Sequence, residues 1–214
     1  MKLILFMAFG LVLTGCTTNV TVEGSVPTPL VKKIPASVGV YYADSFKSFQ
    51  HEESIEQRGT WKVDLGDQNL SFFRNLFQAM FTSVKEVGEE PPLAKGQMNK
   101  LDGVIVPRIV KYGFLTPDIS GLNFYSASIE YQITVYDHSG KRISTWNVVG
   151  YGKSEAGMFG RDDALGDATM QAIRDGGARI AIELADQPGV KQWLASNEER
   201  QNQSDEDAGA HREE

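Results

Sequence analysis

The most regular pattern in the chain is a strict alternation of apolar and polar residues between positions 125 and 135. The apolar set is Tyr125, Ala127, Ile129, Tyr131, Ile133 and Val135, and the polar set is Ser126, Ser128, Glu130, Gln132 and Thr134. This period of two predicts a strand with one buried face and one face in water. Asp137-His138-Ser139-Gly140 is typical of a turn, and 143–152 is predicted to return as the partner strand.

Two other segments have the spacing of amphipathic helices. Apolar residues from Leu70 to Val84 recur on one helical face, with Asp67 as a plausible N-cap. A second helix is predicted over 163–185. Its inner stripe is mostly small, which would let it lie close to a sheet; the stripe is Ala168, Ala172, Ile173, Gly176, Ile180 and Leu184.

Further strands are predicted at 37–42 and 104–114, where Pro107 suggests an edge or a bulge. The order is therefore strand, helix, several antiparallel strands and helix. This order predicts an α/β (α+β) fold, a two-layer sandwich with a mainly antiparallel sheet and two helices on one face. The polar residues of the 125–135 strand then leave the other sheet face wet.

The first residues have the pattern of an export signal. Lys2 is followed by about ten apolar residues, half the roughly 20 that a membrane-spanning helix needs. Leu13-Thr14-Gly15-Cys16 then resembles the bacterial lipobox. The resemblance implies cleavage before Cys16, a diacylglycerol thioether on its sulfur and N-acylation, an anchor of several acyl chains. Thr17 in place of Asp favours, by the same resemblance, the outer membrane. The alternative is a plain signal peptide with a chance cysteine.

These patterns divide the chain into four parts. We expect a lipoprotein signal peptide at 1–15, a lipidated tether rich in Pro and Thr at 16–35 and a periplasmic α/β domain at 36–195. Residues 196–214 are rich in Glu, Asp, Gln and Asn without apolar periodicity, and we expect a disordered acidic tail.

Charge and cysteine content narrow the function. The net charge of −7 disfavours nucleic acid as a partner and a broad electrostatic attachment to anionic lipid. The membrane is therefore expected to be contacted through Cys16. A single cysteine can form no internal disulfide, so stability must come from packing.

Catalytic motifs are scarce. The histidines are His51, His138 and His211, without a His-Glu-x-x-His spacing, and no Gly-x-Ser-x-Gly elbow is present. Gly150-x-Gly152 lacks the third glycine of a dinucleotide loop at the right distance. We therefore expect no enzyme activity, no cofactor and no metal.

Two surfaces could bind a partner. One is the wet sheet face, and the other is the 114–122 segment, which places apolar residues in a turn-rich sequence that either contacts a partner or membrane or folds back onto the core. The candidate partner surface comprises Phe114, Leu115, Leu122, Ser126, Ser128, Glu130 and Gln132.

Several of these features occur together in known lipoproteins. They are the lipobox, the helices, the 101–105 strand start and Tyr131-x-x-Thr134-Val135-Tyr136-Asp137 ending in Ser139-Gly140. Together they resemble small envelope lipoproteins with an LptE-like or YajG-like domain, and the periplasmic part of the curli-secretion lipoprotein. The resemblance implies an assembly factor or partner of outer-membrane machinery that faces the periplasm and binds an envelope protein. A lipid or small-ligand carrier is the alternative, followed by a small hydrolase; a carrier would need a cavity between helix and sheet.

Overall fold

The computed structural model describes residues 17–25, 27, 29–93, 101–155 and 160–210, with residues 161, 162 and 201–210 described by their backbone alone. The predicted signal peptide, its lipobox and Cys16 lie outside the described residues. Among these residues no helix is both long and apolar enough to cross a membrane.

The described chain forms strands and helices in mixed order. The strands are β1 Thr17–Thr21, β2 Ile34–Val40, β3 Gln50–Ile55, β4 Gly59–Asp64, β5 Phe81–Glu86, β6 Gly103–Leu115, β7 Phe124–Asp137 and β8 Arg142–Glu155. The helices are α1 Asp44–Lys47, α2 Gly66–Met80, α3 Pro117–Ser120, α4 Arg161–Glu183 and α5 Pro188–Ala210, with a 3-10 turn at Leu184–Asp186.

The larger sheet has five strands in the order β5-β2-β6-β7-β8. The turn at Asp137 joins β7 and β8 as an antiparallel hairpin, and β6 pairs antiparallel with β7. β2, however, runs parallel to both β5 and β6. The α+β two-layer sandwich is confirmed, but the sheet is mixed rather than mainly antiparallel. The cause is α2, which carries the chain back along the sheet between β2 and β5, so β5 starts at the same end as β2.

Both long helices, α2 and α4, lie on one face of this sheet. The inward residues of β7 contact them: Tyr131 hydrogen-bonds Asn69 of α2, and its ring lies against Gly176 of α4. Asp67 lies in the first turn of α2, and Leu65 occupies the N-cap. The aromatic and aliphatic core fills this layer with Phe73, Phe77, Leu76, Ile129, Ile133, Leu165 and Ile173, each at most 1% exposed.

A smaller sheet of order β1-β4-β3 covers the rest of this face, and it includes part of the predicted tether. Thr17–Thr21 pairs in parallel with β4, and Val20 and Val22 are buried. The expectation of a spacer through residue 35 is therefore wrong for 17–21. Composition concealed the strand, because its valines are separated by Thr residues that suit both an extended linker and a strand.

The expected disordered tail is also different in the structure, where the backbone of residues 196–210 belongs to α5. The helix is anchored before the acidic segment begins. Val190 and Trp193 are buried, Trp193 Nε1 donates to the Asp102 carbonyl at 3.0 Å, and Asn197 is buried. Once these residues fix the first turns, each added residue costs less to order, and Glu, Gln and Ala are good helix formers.

Candidate functional site

The outer face of the larger sheet is formed by the polar residues of β7 and their partners on β8. Side chains pair across the two strands: Asn147 Nδ2 donates to Glu130 Oε1 at 2.7 Å, and Gln132 Nε2 donates to Asn147 Oδ1 at 3.3 Å. Ser126, Ser128, Glu130 and Gln132 are all half-buried on this face, as the alternation predicts. α2 and α4 lie on the opposite face, so neither helix covers this row.

The apolar residues predicted for the partner surface differ in their exposure to solvent. Leu115 and Leu122 are exposed by 46% and 52%. Phe114 is only 8% exposed and packs against Trp61, with ring centroids 5.7 Å apart. Phe114 is therefore mainly a core residue, although it also contributes to the lining of the groove described below. The register shift between Ile109 and Lys111 changes which residues of β6 face inward, so that the Phe114 ring points to the core and Leu115 to solvent.

An open groove of about 760 Å³ lies where this face meets the end of β6. Its polar and cationic lining is Lys111, Ser126, Ser128, Lys153 and Gln171, and its apolar lining includes Leu115 and Tyr151. Tyr151 is 63% exposed and pairs with Ser128 in the strand register. Tyr151 and Lys153 were not among the predicted site residues, although extending the predicted hairpin register places them on the same face as the polar residues of β7.

The 115–122 loop adds further exposed apolar surface beside this groove. Short helix α3 leaves Ile119 41% exposed, and Gly121, with φ +70°, ends it in a left-handed conformation. Leu115, Ile119 and Leu122 are thus three exposed aliphatic residues of one short segment, which we call the loop cluster.

The free edge of β8 is partly covered by α4. Asp175 Oδ2 accepts the Tyr151 backbone N–H at 3.0 Å, and Gln171 Oε1 accepts that of Lys153 at 3.5 Å. These side chains occupy backbone donors that would otherwise be open to another strand.

The helix–sheet layer is closely packed at its centre. A Cβ on Gly150 would lie 2.1 Å from the Ala172 carbonyl oxygen, and one on Gly152 would lie 1.9 Å from that of Ala168. The two glycines therefore let α4 rest directly on the backbone of β8. The small-residue stripe predicted for α4 has the role expected of it, and the Gly150-x-Gly152 pair is explained by packing.

Two buried tyrosines link the layers through their hydroxyls. Burial raises the pKa of Tyr131, whose hydroxyl donates to Asn69 Oδ1, and Asn69 Nδ2 donates to the Leu65 carbonyl at 2.9 Å. Burial also raises the pKa of Tyr112, whose hydroxyl lies 2.7 Å from Thr169 Oγ1. Both phenols stay protonated at neutral pH and serve as structural hydrogen-bonding groups.

The described histidines lie apart from this face. His51 Nε2 is 3.2 Å from Glu53 Oε2, and its ring packs edge-on against Tyr112. His138 is in the β7–β8 turn, and His211 lies outside the described residues. Within the described ranges, no three His, Cys, Asp or Glu side chains form a group that could hold a metal ion.

Comparison with known proteins yields structural likeness alone, since no family model and no curated protein matches the chain. A neuraminyllactose-binding hemagglutinin homolog from Helicobacter pylori is 14% identical, with a TM-score of 0.53 over 83% of this chain and 100% of that one. A DUF330-family protein from Xanthomonas campestris is 13% identical, with a TM-score of 0.47 over 87% and 99% of the two chains. A minor lipoprotein from Acinetobacter baumannii is 11% identical, with a TM-score of 0.40 over 74% and 94%. The Helicobacter pylori structure shares the fold of this chain, and at this identity the likeness extends to the fold alone.

Proposed function

We propose that this chain is a lipid-anchored, non-enzymatic module of the bacterial outer membrane that faces the periplasm and binds another envelope protein. The anchor is supported by the apolar run and by Leu13-Thr14-Gly15-Cys16. The observation that carries the binding role is the outer face of β7 and β8 between Ser126 and Gln132, opposite the two long helices.

The shape of this face favours a protein over a small molecule. β7 and β8 each have 14 residues, or about 45 Å at roughly 3.3 Å per residue. Only the Asp137 end of this face is covered among the described residues, where Leu93, Val104 and Val106 pack with Tyr136. Stable protein interfaces cover about 800 Å² on each partner, which a face of this length can supply. Glu130, Asn147 and Gln132 are hydrogen-bonded to one another, which suits a surface for contact better than a site for acid–base chemistry.

The anchor is tested by mass spectrometry of the mature N-terminus from wild type and Cys16→Ala, combined with membrane fractionation. We expect a triacylated Cys16 peptide in the outer membrane of the wild type and its loss in the variant. An unmodified N-terminus in the soluble periplasm would refute the anchor.

The binding role is tested by photocrosslinking in cells. A benzoylphenylalanine in place of Tyr151 keeps an aromatic ring on the outer face, and the same residue in place of Ile182, which is 71% exposed on α4, is the matched control. We expect a discrete envelope-protein adduct from position 151 that is absent from position 182. Equal or absent adducts at both positions would contradict a specific partner on this face.

A small-ligand carrier is a second candidate, favoured by the groove, whose volume lies in the range of roughly 300–1,000 Å³ found for ligand sites. The closely packed glycines of β8 argue against the alternative carrier site between helix and sheet. Native mass spectrometry of the purified protein would distinguish the two functions, because a carrier should retain a small molecule while giving no protein adduct at position 151.

A further inference from the structure

The first strand of the described chain begins directly after the residue that would carry the lipid. β1 begins at Thr17, and Thr17 is already paired with Thr60 of β4. Successive Cα atoms are about 3.8 Å apart, so Cys16 cannot lie far from this end of the small sheet. A lipid on Cys16 would therefore fix which end of the molecule meets the membrane.

Two other segments share this end of the molecule. In the β3–β4 hairpin, Ile55 pairs with Gly59, so its tip at 56–58 lies beside the start of β1. Trp61, the partner of Thr18, packs on Phe114 at 5.7 Å, and the loop cluster begins at the next residue, Leu115. The start of β1 and the hairpin tip thus lie on the side of the molecule where β6 ends and the 115–122 loop begins.

The loop cluster has the chemistry of a membrane contact. Leu115, Ile119 and Leu122 are each more than 40% exposed, although the exposure of aliphatic side chains to water is energetically unfavourable. Apolar side chains at the membrane surface are buried about 5–10 Å into the boundary between headgroups and acyl chains. A cluster of this kind beside the anchor would hold the domain in one orientation, which acyl chains alone do not do.

We propose that the Thr17 end of the molecule rests on the bilayer, with Leu115, Ile119 and Leu122 inserted at the level of the lipid headgroups. This proposal rests on lipidation of Cys16 in the proposed function. Glu130 and Gln132, further along β7 from Ser126, the partner of Leu115, then stand away from the membrane, where a periplasmic protein can reach them.

The test uses the full-length lipoprotein with a fluorescent probe on the loop cluster. Leu122→Cys is labelled with nitrobenzoxadiazole, and the protein is reconstituted into phosphatidylethanolamine–phosphatidylglycerol vesicles with or without nitroxide-labelled lipid. Ile182→Cys is the matched control, because it is also exposed and lies roughly 20 Å along α4 from Ala168, which contacts Gly152 near the loop end of the sheet. Ile119→Cys replaces Leu122→Cys if the latter variant does not fold.

We expect the probe at 122 to shift to shorter wavelength and to lose emission with nitroxide lipid, while the probe at 182 does neither. Equal quenching at both positions, or none at 122, would overturn the proposed orientation. Shielding of position 122 in cells without quenching in vesicles would assign the loop to a protein partner and would also overturn it.

Mass spectrometry of Cys16 on the same samples separates the two proposals. A lipidated Cys16 with an unquenched probe at 122 refutes the orientation alone, whereas an unmodified Cys16 refutes the anchor and the orientation that depends on it.

Discussion

The hydroxyl of Tyr131 on β7 donates a hydrogen bond to Oδ1 of Asn69 on α2, and both side chains are fully buried. Asn69 is held in turn by its own bond to the Leu65 carbonyl at 2.9 Å. A polar pair inside an apolar layer fixes the position of α2 on the sheet, because a shift of either element would leave a buried polar group without a partner.

This relationship predicts that Tyr131→Phe destabilises the fold. The substitution keeps the ring but leaves Asn69 Oδ1 unsatisfied, which should cost about 1–3 kcal/mol. Urea unfolding followed by circular dichroism measures the change. Tyr151→Phe is the control, since Tyr151 is largely exposed and the loss of its hydroxyl should change the unfolding midpoint little. A midpoint unchanged in both variants would show that the buried pair contributes no net stability.

The contact between β8 and α4 predicts a large effect from a single methyl group. Gly152→Ala would place a Cβ against the Ala168 carbonyl, and relieving that clash should cost at least about 1–3 kcal/mol. Gly113→Ala is a matched control within the same sheet, because its nearest neighbour, Ser128 Oγ, would be 3.8 Å away. Thermal unfolding should separate the two variants. Similar melting temperatures would mean that α4 can move off the sheet without cost.

The elements that could be predicted from the sequence are those whose own residues show a clear local pattern. The alternation through Tyr131, the turn at Asp137 and the small stripe of α4 each follow from local chemistry, and each occurs where it was predicted. The segment around Trp61 has no such pattern, and it forms the β3–β4 hairpin.

What the sequence concealed depends on contacts between distant segments. β1 is short and exists because β4 pairs with it, and no local signal distinguishes Thr17–Thr21 from a linker. Phe114 was placed on the surface because the bulge near Lys111, which turns its ring inward, cannot be seen from composition. The groove residue Tyr151 could have been found by continuing the predicted hairpin register from Ser128.

The β7–β8 turn predicts a pH-dependent contribution to stability. Burial of the Asp137 carboxyl works in the opposite direction, but hydrogen bonds from Ser139 Oγ and from the Lys141 and Ser139 N–H groups lower its pKa. A carboxyl with a lowered pKa in the folded state stabilises the protein above its unfolded pKa, and this stability is lost as the pH falls through the folded value. Asp137→Asn should therefore lower the free energy of unfolding at neutral pH, by less than about 1 kcal/mol because the group is largely exposed.

Urea titrations over a pH series check this effect. The difference between wild type and Asp137→Asn should shrink as the pH falls below about 4. Ser139→Ala removes one hydrogen-bond donor, so it should raise the pKa of Asp137. In the Ser139→Ala background, the stability difference caused by Asp137→Asn should therefore be smaller. A difference that stays constant over the whole pH range would exclude a role for the ionised carboxyl.

The hydrogen bonds that hold Gly24 and Ser25, after β1, predict a local effect of replacing Arg174. Its guanidinium donates to the Ser25 carbonyl at 2.6 Å, and nearby Gln68 Nε2 donates to the Gly24 carbonyl at 3.2 Å. Arg174→Ala should loosen Gly24 and Ser25 while the buried strands stay folded, because these contacts are made at the surface. Limited proteolysis with mass spectrometry should then show faster cleavage at Lys32 and Lys33. Arg179→Ala is the matched control, since Arg179 pairs with Asp175 instead. Equal cleavage rates in the two variants would mean that the Gln68 hydrogen bond and the burial of Val22 hold the segment without Arg174.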